Sequence, residues 1–361
     1  MLFVVIALFI IGMMAIWVAT DTENFLRGQA SDFILKQSIA FAIGFIGMII
    51  IMSIDYRILG HYWIPIYILC LLLLLIVWIP GIGVVNKGTR GWINLGFVDL
   101  QTSEIGKLFF ILTFAKLLDK RSDKLDHILD LLPLLLFIAP IIGLIAVQPD
   151  LGQAIVYVFI AAGMLFIAGL NIKYIYGVIA SIIIGFPLLW NFYMHDYQKN
   201  RLITWFNPAN DPLGDGYHAL QSMTTIGSGG VIGKGFKAEN TMTKLNYLPE
   251  QWTDFIFSVI SETTGFIGAS VVVLLFSLFL YRLIKDAAKA KDQYGRLIIT
   301  GVFFMFLFQI MENVGMTMGI MPITGITLPF LSYGGSSLMT NMFILGIVLN
   351  VYMRRQYIDF T

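Results

Sequence analysis

The run Phe3-Val-Val-Ile-Ala-Leu-Phe-Ile-Ile-Gly-Met-Met-Ala-Ile-Trp-Val-Ala19 holds no charge and no strongly polar side chain. As a helix rising about 1.5 Å per residue it would cover roughly 26 Å, most of the ~30 Å hydrocarbon core of a bilayer. It lacks the basic lead-in and small-residue exit of a secretory leader, so it reads as a first span. Nine similar segments follow, at 34–53, 63–79, 104–118, 131–147, 151–170, 174–192, 255–283, 297–321 and 328–351. The fourth is the weakest, because Glu104, Lys107 and Lys116 interrupt it. The fold class expected is all-α: a polytopic integral membrane protein with about ten transmembrane helices and one long structured extracytoplasmic loop.

Composition agrees. The 361 residues are 58% hydrophobic and 12% charged, about half the charged share of an ordinary soluble domain, and mean hydropathy is +0.83. A net charge of +1 gives no electrostatic footprint for nucleic acid. The sole cysteine, Cys70, sits in an apolar run and can form neither an internal disulfide nor a thiolate cluster. His61, His127, His195 and His218 are scattered without metal-ligand spacing, and Gly227-Ser-Gly-Gly230 lacks the strand and Gly-Lys-Ser/Thr ending of a phosphate loop. No internal repeat of the kind built into inverted-repeat transporters is evident.

Ten spans place both termini on one side. With the termini cytoplasmic, thirteen basic residues fall inside: Arg57, Lys116, Lys120, Arg121, Lys124, Lys173, Arg282, Lys285, Lys289, Lys291, Arg296, Arg354 and Arg355. Five fall outside on short connections and span ends: Arg27, Lys36, Lys87, Arg90 and Lys107. The positive-inside rule therefore favours cytoplasmic termini, even when the five basic residues of the long 194–253 segment are added outside.

That segment is too long for a structureless connection and reads as an outward cap on a single membrane domain spanning 1–361. Within it 217–225 is expected to form a short amphipathic helix, and the glycines of 227–235 to supply tight turns and close backbone approach. A second outer loop, 80–102, mixes Lys87, Arg90, Trp92 and Asp99 with turn formers. Together the two suit a wet mouth for an amphiphilic, anionic substrate.

Ionisable groups at membrane depth are costly, so each asks for a reason. Glu104 and Lys107, three apart, can pair, either as glue between spans or within an active cavity. Asp254 opens the eighth span and heads a stripe with Ser258, Ser261 and Gly265, flanked by Glu262; it, or Thr253, could instead cap the helix. Asp150 is placed to cap the sixth span. Glu312 and Asn313 are expected to face the bundle, and Pro322, Gly325 and Pro329 to break the chain near the outer surface.

Seven ordered motifs carry a resemblance. They are Arg90-Gly-Trp-Ile-Asn-Leu-Gly96, Gln101-Thr-Ser-Glu-Ile-Gly-Lys107, Gln148-Pro-Asp-Leu-Gly152, Asp215-Gly-Tyr-His-Ala-Leu-Gln221, Gly227-Ser-Gly-Gly-Val-Ile-Gly-Lys-Gly235, Leu248-Pro-Glu-Gln-Trp-Thr-Asp-Phe-Ile-Phe257 and Leu331-Ser-Tyr-Gly-Gly-Ser-Ser337. Across all ten spans the chain resembles the shape, elongation, division and sporulation (SEDS) family, on its RodA-like side. The resemblance implies a peptidoglycan glycosyltransferase of the bacterial plasma membrane that polymerises lipid II during cell-wall elongation and shape maintenance. It further implies a class B penicillin-binding protein and the elongation machinery as partners. The family's extracellular aspartate carries over to Asp254, and its Ser-Glu-x-x-Lys motif to Ser103, Glu104 and Lys107. The chain departs at Thr102, where many members have proline; at Trp252, often histidine; and after Glu262, where a second glutamate is common.

In that chemistry a weakly nucleophilic sugar hydroxyl attacks an anomeric carbon and expels a polyprenyl pyrophosphate. A carboxylate can serve as general base and cations can offset charge on the leaving group. Asp254 is the candidate base, and Glu104, Lys107, Arg90 and Arg201 are the candidate substrate contacts. No ATP or other cofactor is required; a divalent cation bridging Asp254 or Glu104 to pyrophosphate stays open. Two other readings compete: a lipid II flippase, which needs a hydrophilic path to the cytoplasmic face, and a non-catalytic scaffold for the penicillin-binding protein. Polar residues concentrate toward the outer halves of spans four and eight, which favours the enzyme.

Overall fold

The protein is described from a computed structural model. It covers residues 1–355 except 22–28, 87, 95, 97–98, 122–127, 172, 175, 178–184, 186, 188–189, 193–195, 209–210 and 212–213. The helices are α1 (Leu2–Thr20), α2 (Gln29–Ser53), α3 (Tyr56–His61), α4 (Trp63–Leu75), α5 (Thr102–Asp119), α6 (Ile128–Val147), α7 (Leu151–Ile167), α8 (Asp196–Phe206), α9 (Asp215–Ser228), α10 (Ile256–Ala288), α11 (Gln293–Thr317) and α12 (Gly335–Met353). Nine of the ten expected spans are present as helices; the seventh, 174–192, lies largely outside the described residues. Among the described residues six helices are long and apolar enough to cross a membrane: α1, α2, α6, α10, α11 and α12. Trp63–Trp78 and Leu151–Ile167 are shorter apolar helices. The chain is an integral membrane protein built of helices.

Burial explains why the fourth span read poorly. In α5, Thr102, Ser103, Glu104, Gly106, Lys107 and most later residues are buried by protein, with α4, α7, α11 and α12 packed around it. A helix surrounded by helices never meets acyl chains and can carry charge where neighbours pair it. In α2, α6 and α10 only 22% of the apolar window is buried within the protein, against 78% in α12. The most apolar segments are the lipid-facing ones, such as α2 with Leu35, Ile39, Ile46 and Ile50 exposed.

Two boundaries differ from expectation. The tenth span was expected from residue 328, yet α12 begins at Gly335. Residues 322–328 make no regular structure, Phe330 is left-handed at φ 65°, and the Ser332 hydroxyl takes the Leu328 N–H at 2.8 Å. The eighth span, α10, is broken at Gly265, whose φ of 68° and ψ of −167° interrupt the helical ladder.

The face opposite the chain termini carries the irregular structure. In 80–102, read as loop, three short antiparallel strands form: β1 (Gly83–Asn86), β2 (Thr89–Asn94) and β3 (Asp99–Gln101), ordered β1-β2-β3, with Val84 opposite Trp92 and Trp92 opposite Gln101. Strands of three to six residues leave too little alternation to be seen in sequence. The helix expected at 217–225 is present and longer, as α9. The glycine-rich segment behind it docks backbone to backbone on the α10 break. Lys234 N–H donates to Glu262 O and Gly235 N–H to Thr263 O, both at 2.9 Å, while Phe266 and Ile267 N–H donate to Gly230 O and Val231 O. The approach needs glycine: a Cβ on Gly229 would lie 2.0 Å from Ser261 O, and one on Gly233 2.3 Å from Thr263 O.

At the terminus-bearing face, Asp292 caps α11 through the Gly295 N–H and also accepts from Tyr56 (2.6 Å) and Arg57 (3.2 Å). Asn350 of α12 closes the end of α2 by donating to Ile51 O and Ile54 O.

Candidate active site

Asp254 sits in a turn that is tied down on three sides. Glu250 has φ 50°, and its carbonyl accepts from the Thr253 and Asp254 N–H groups at 3.1 Å. Three successive carbonyls then accept from three separate groups: Trp252 O from Tyr333 N–H (2.9 Å), Thr253 O from the Ser332 hydroxyl (2.6 Å) and Asp254 O from Asn313 Nδ2 (2.9 Å). Gln251 Nε2 reaches Ala19 O at the end of α1, at 2.8 Å. The backbone under Asp254 is thus fixed by α1, α11 and the 328–334 connection.

Thr253, the other capping candidate, turns its hydroxyl elsewhere. The N-cap of α10 is Phe255, without a side-chain cap, and the Thr253 hydroxyl bonds to Glu250 instead. Asp254 presents its carboxylate to Gly325, where a Cβ would stand 3.7 Å from Oδ2.

Glu104 and Lys107 do pair, at 2.7 Å, with both side chains almost wholly buried. Gln153 Nε2 donates to the same Glu104 oxygen at 2.7 Å, which ties α5 to the first turn of α7. Asp150 caps α7 as expected, accepting from Gln153 N–H, and its other oxygen takes Gln101 Nε2 at 2.8 Å. Burial pushes the Asp150 carboxyl above its ordinary range, against the opposing pull of the Gln153 and Gln101 hydrogen bonds. Tyr157 OH donates to Ser103 O at 2.7 Å.

The segment 324–326 separates this cluster from Asp254 by little more than one chain thickness. Gly152, beside Gln153, is packed so closely that a Cβ would lie 2.8 Å from Thr324 O, while the next residue, Gly325, faces Asp254. Asn313 Nδ2 holds the far end of the segment through Ile326 O at 2.7 Å. Gln101 N–H meets the Ser336 hydroxyl, in the first turn of α12, at 3.0 Å.

The remaining expectations divide. Arg90, on β2, has its guanidinium 5.3 Å from the Trp78 ring centroid, and its Nε is buried without a partner among the described residues. It joins the α5 cluster through its neighbour Gly91, whose carbonyl accepts from the Thr102 hydroxyl at 3.2 Å. Arg201 lies in α8, but its side chain is outside the described residues. The stripe below Asp254 faces the bundle interior: the Ser258 and Ser222 hydroxyls meet at 2.8 Å, and Ser261 bonds within its own helix to Phe257 O.

The family described as "Cell cycle protein" (FtsW, RodA, SpoVE) matches residues 1–357. The chain belongs to the FtsW/RodA/SpoVE family. It is 38% identical over 324 residues to "Probable peptidoglycan glycosyltransferase FtsW" of Geobacter metallireducens, covering 89% of this chain and 85% of that one. It is 35% identical over 368 residues to "Peptidoglycan glycosyltransferase MrdB" of Escherichia coli K12, covering 99% and 94%. The solved structure "Structural coordination of polymerization and crosslinking by a peptidoglycan synthase complex" superposes with TM-score 0.84 at 31% identity, covering 99% of this chain and 98% of that chain.

Sequence reasoning missed several parts of this FtsW/RodA/SpoVE-family site. Gln153 was not singled out, although a glutamine in the first turn of an otherwise apolar span is itself a signal. Glu262, read as a flank of the Asp254 stripe, accepts from Lys234 Nζ, the Ser228 hydroxyl, the Met242 and Thr243 N–H groups and the Thr243 hydroxyl. Its partners lie 19 to 34 residues away, at the end of α9 and in the segment that follows it, so no local spacing announces them.

Proposed function

We propose that the chain is a peptidoglycan glycosyltransferase that polymerises lipid II at the outer membrane surface, with Asp254 as general base. The carrying observation is the seat of Asp254: three consecutive carbonyls anchor its turn, and its carboxylate faces a glycine. An anchored carboxylate can take the proton of an acceptor sugar hydroxyl as that oxygen bonds to the anomeric carbon and the undecaprenyl pyrophosphate departs. Positioned proton transfer of this kind contributes about 10²- to 10⁴-fold in rate. Relatives that span nearly the whole chain carry the glycosyltransferase name.

Lys107, neutralised by Glu104, is a wall of the site rather than a free cation; Arg90 and Arg201 are the candidate contacts for the pyrophosphate. The chain acts as one membrane domain, 1–361, with 194–253 as its extracytoplasmic cap and both termini in the bacterial cytoplasm, as the thirteen inner basic residues support. Its partner is a class B penicillin-binding protein of the elongation machinery, which a relative's polymerising and crosslinking complex supports.

The test is conversion of purified lipid II to glycan by the full chain, alone and with the partner, for wild type and Asp254→Asn. The variant should lose about 10²- to 10⁴-fold in rate with its melting temperature and partner recovery unchanged. Near-wild-type polymerisation by a normally folded Asp254→Asn would remove Asp254 as base and move the search to Glu104.

A further inference from the structure

One face of α11 carries Gln309, Glu312 and Asn313, spaced by three and four residues. All three are at least 98% buried. Both Glu312 carboxylate oxygens, Gln309 Oε1 and Asn313 Oδ1 have no hydrogen-bond partner among the described residues. Asn313 is not free to turn and mend this, because both its amide hydrogens are engaged by Asp254 O and Ile326 O. The Thr324 hydroxyl, also unpartnered, lies beside Glu312, and Asp254 is close enough for the two carboxylates to interact.

Buried acceptors are ordinarily satisfied, and a group of them with one hydroxyl, that of Thr324, as its nearby donor describes the ligand it lacks. One proton on Glu312 and the Thr324 hydroxyl would together serve two of the four oxygens and leave the other two orphaned. Carboxylate, amide carbonyl and hydroxyl oxygens, without sulfur or imidazole, are the donor set of hard cations such as magnesium, manganese and calcium. Two carboxylates nearby match a double positive charge.

We propose that Glu312, with the carbonyl oxygens of Gln309 and Asn313 and the hydroxyl of Thr324, binds a divalent cation of the magnesium or manganese class beside Asp254. The assignment deepens the glycosyltransferase reading, on which its catalytic use rests: a cation there would offset charge on a substrate diphosphate next to the proposed base.

The experiment uses the full chain, stripped with EDTA and titrated with Mn²⁺ under electron paramagnetic resonance, with lipid II polymerisation followed in parallel. Wild type should bind one saturable Mn²⁺, and Glu312→Gln should weaken it at least about tenfold. Gln309→Leu, which removes a neutral ligand, is expected to weaken binding as well and decides the matter if Glu312→Gln fails to fold. Saturable binding unchanged in folded variants, or no saturable binding to wild type, overturns the site. Undiminished polymerisation by EDTA-stripped wild type that binds Mn²⁺ when it is added back overturns the catalytic use of the cation alone. Mn²⁺ binding that depends on Glu312, in a chain that never polymerises lipid II, supports the site and overturns the glycosyltransferase reading.

Discussion

Glu262 on α10 and Glu312 on α11 are both buried in membrane-spanning helices, and they are opposites. Glu262 accepts five hydrogen bonds, three of them to Oε1 and two to Oε2, from residues of the cap. Glu312 has none among the described residues. A satisfied buried carboxylate is a joint: it holds the glycine-rich segment against the broken helix, and its donors are spent. An unsatisfied one carries a cost that the fold alone does not explain, and it stands beside Asp254. Burial therefore does not separate structural from functional carboxylates in this molecule; the census of donors does.

The largest stability effect should come from breaking the joint. Glu262→Ala leaves Lys234 without its counter-ion and strands the Thr243 and Met242 N–H groups, so about 3–5 kcal/mol of stability should be lost. Chemical or thermal unfolding of the purified chain measures it, and new protease cleavage within 228–247 would show that the cap lifts. A variant as stable as wild type, with its cap still protected, would remove Glu262 as the joint. Gly233→Ala attacks the same joint from the other side, through backbone rather than charge. Gly233 has φ +85°, and its Cβ would fall 2.3 Å from Thr263 O, so a loss of about 2–4 kcal/mol is expected. An alanine tolerated at below about 0.5 kcal/mol would mean that the segment can dock in another way.

How far these differences could be read in the sequence follows from what fixes each of them. The apolar spans were legible because lipid imposes its demand on every residue of a lipid-facing helix. The α5 pair was legible because Glu104 and Lys107 are neighbours on one helix turn. The role of Glu262 was not, since its donors sit at the end of α9 and in the segment behind it, which reach it only after folding. The sheet at 83–101 escaped because its strands are too short to alternate visibly, and the late start of α12 because Leu328, Phe330 and Leu331 are apolar yet packed in non-helical backbone. The Asp254 turn was partly legible: its residue was found, but its anchorage depends on Asn313, Ser332 and Tyr333, 59 to 81 positions away.

Lys234→Met is the milder probe of the joint. Its ammonium is 2.8 Å from Glu262 Oε1, but the lysine side chain is 30% exposed and four other donors remain on the carboxylate. Solvent screening limits what such a pair contributes, so a loss of about 1–2 kcal/mol is expected. A loss as large as that of Glu262→Ala would make the ion pair, and not the hydrogen-bonded nest, the source of the joint's strength.

The smallest effect is expected where the comparison is most direct, with one isosteric change made at each glutamate in EDTA-treated protein. Glu262→Gln keeps the size of the side chain but replaces one oxygen by an NH₂ group. Every arrangement of the amide then points hydrogens at an N–H donor or at Lys234, and several charge-assisted bonds become neutral or repulsive. Loss of stability is the only outcome that geometry allows. Glu312→Gln has beside it only the Thr324 hydroxyl, which can accept as readily as donate. The amide adds hydrogens near Thr324 and the unpartnered Gln309 and Asn313 carbonyl oxygens, and it removes a like charge near Asp254. Replacing an uncompensated buried charge by a neutral group of the same shape is neutral or stabilising, so a change between zero and about +1 kcal/mol is expected in metal-free protein. Matched unfolding curves of the two variants check the sign. Destabilisation by Glu312→Gln equal to that by Glu262→Gln would show that Glu312 has structural partners after all, and the distinction between a joint and a site would fail.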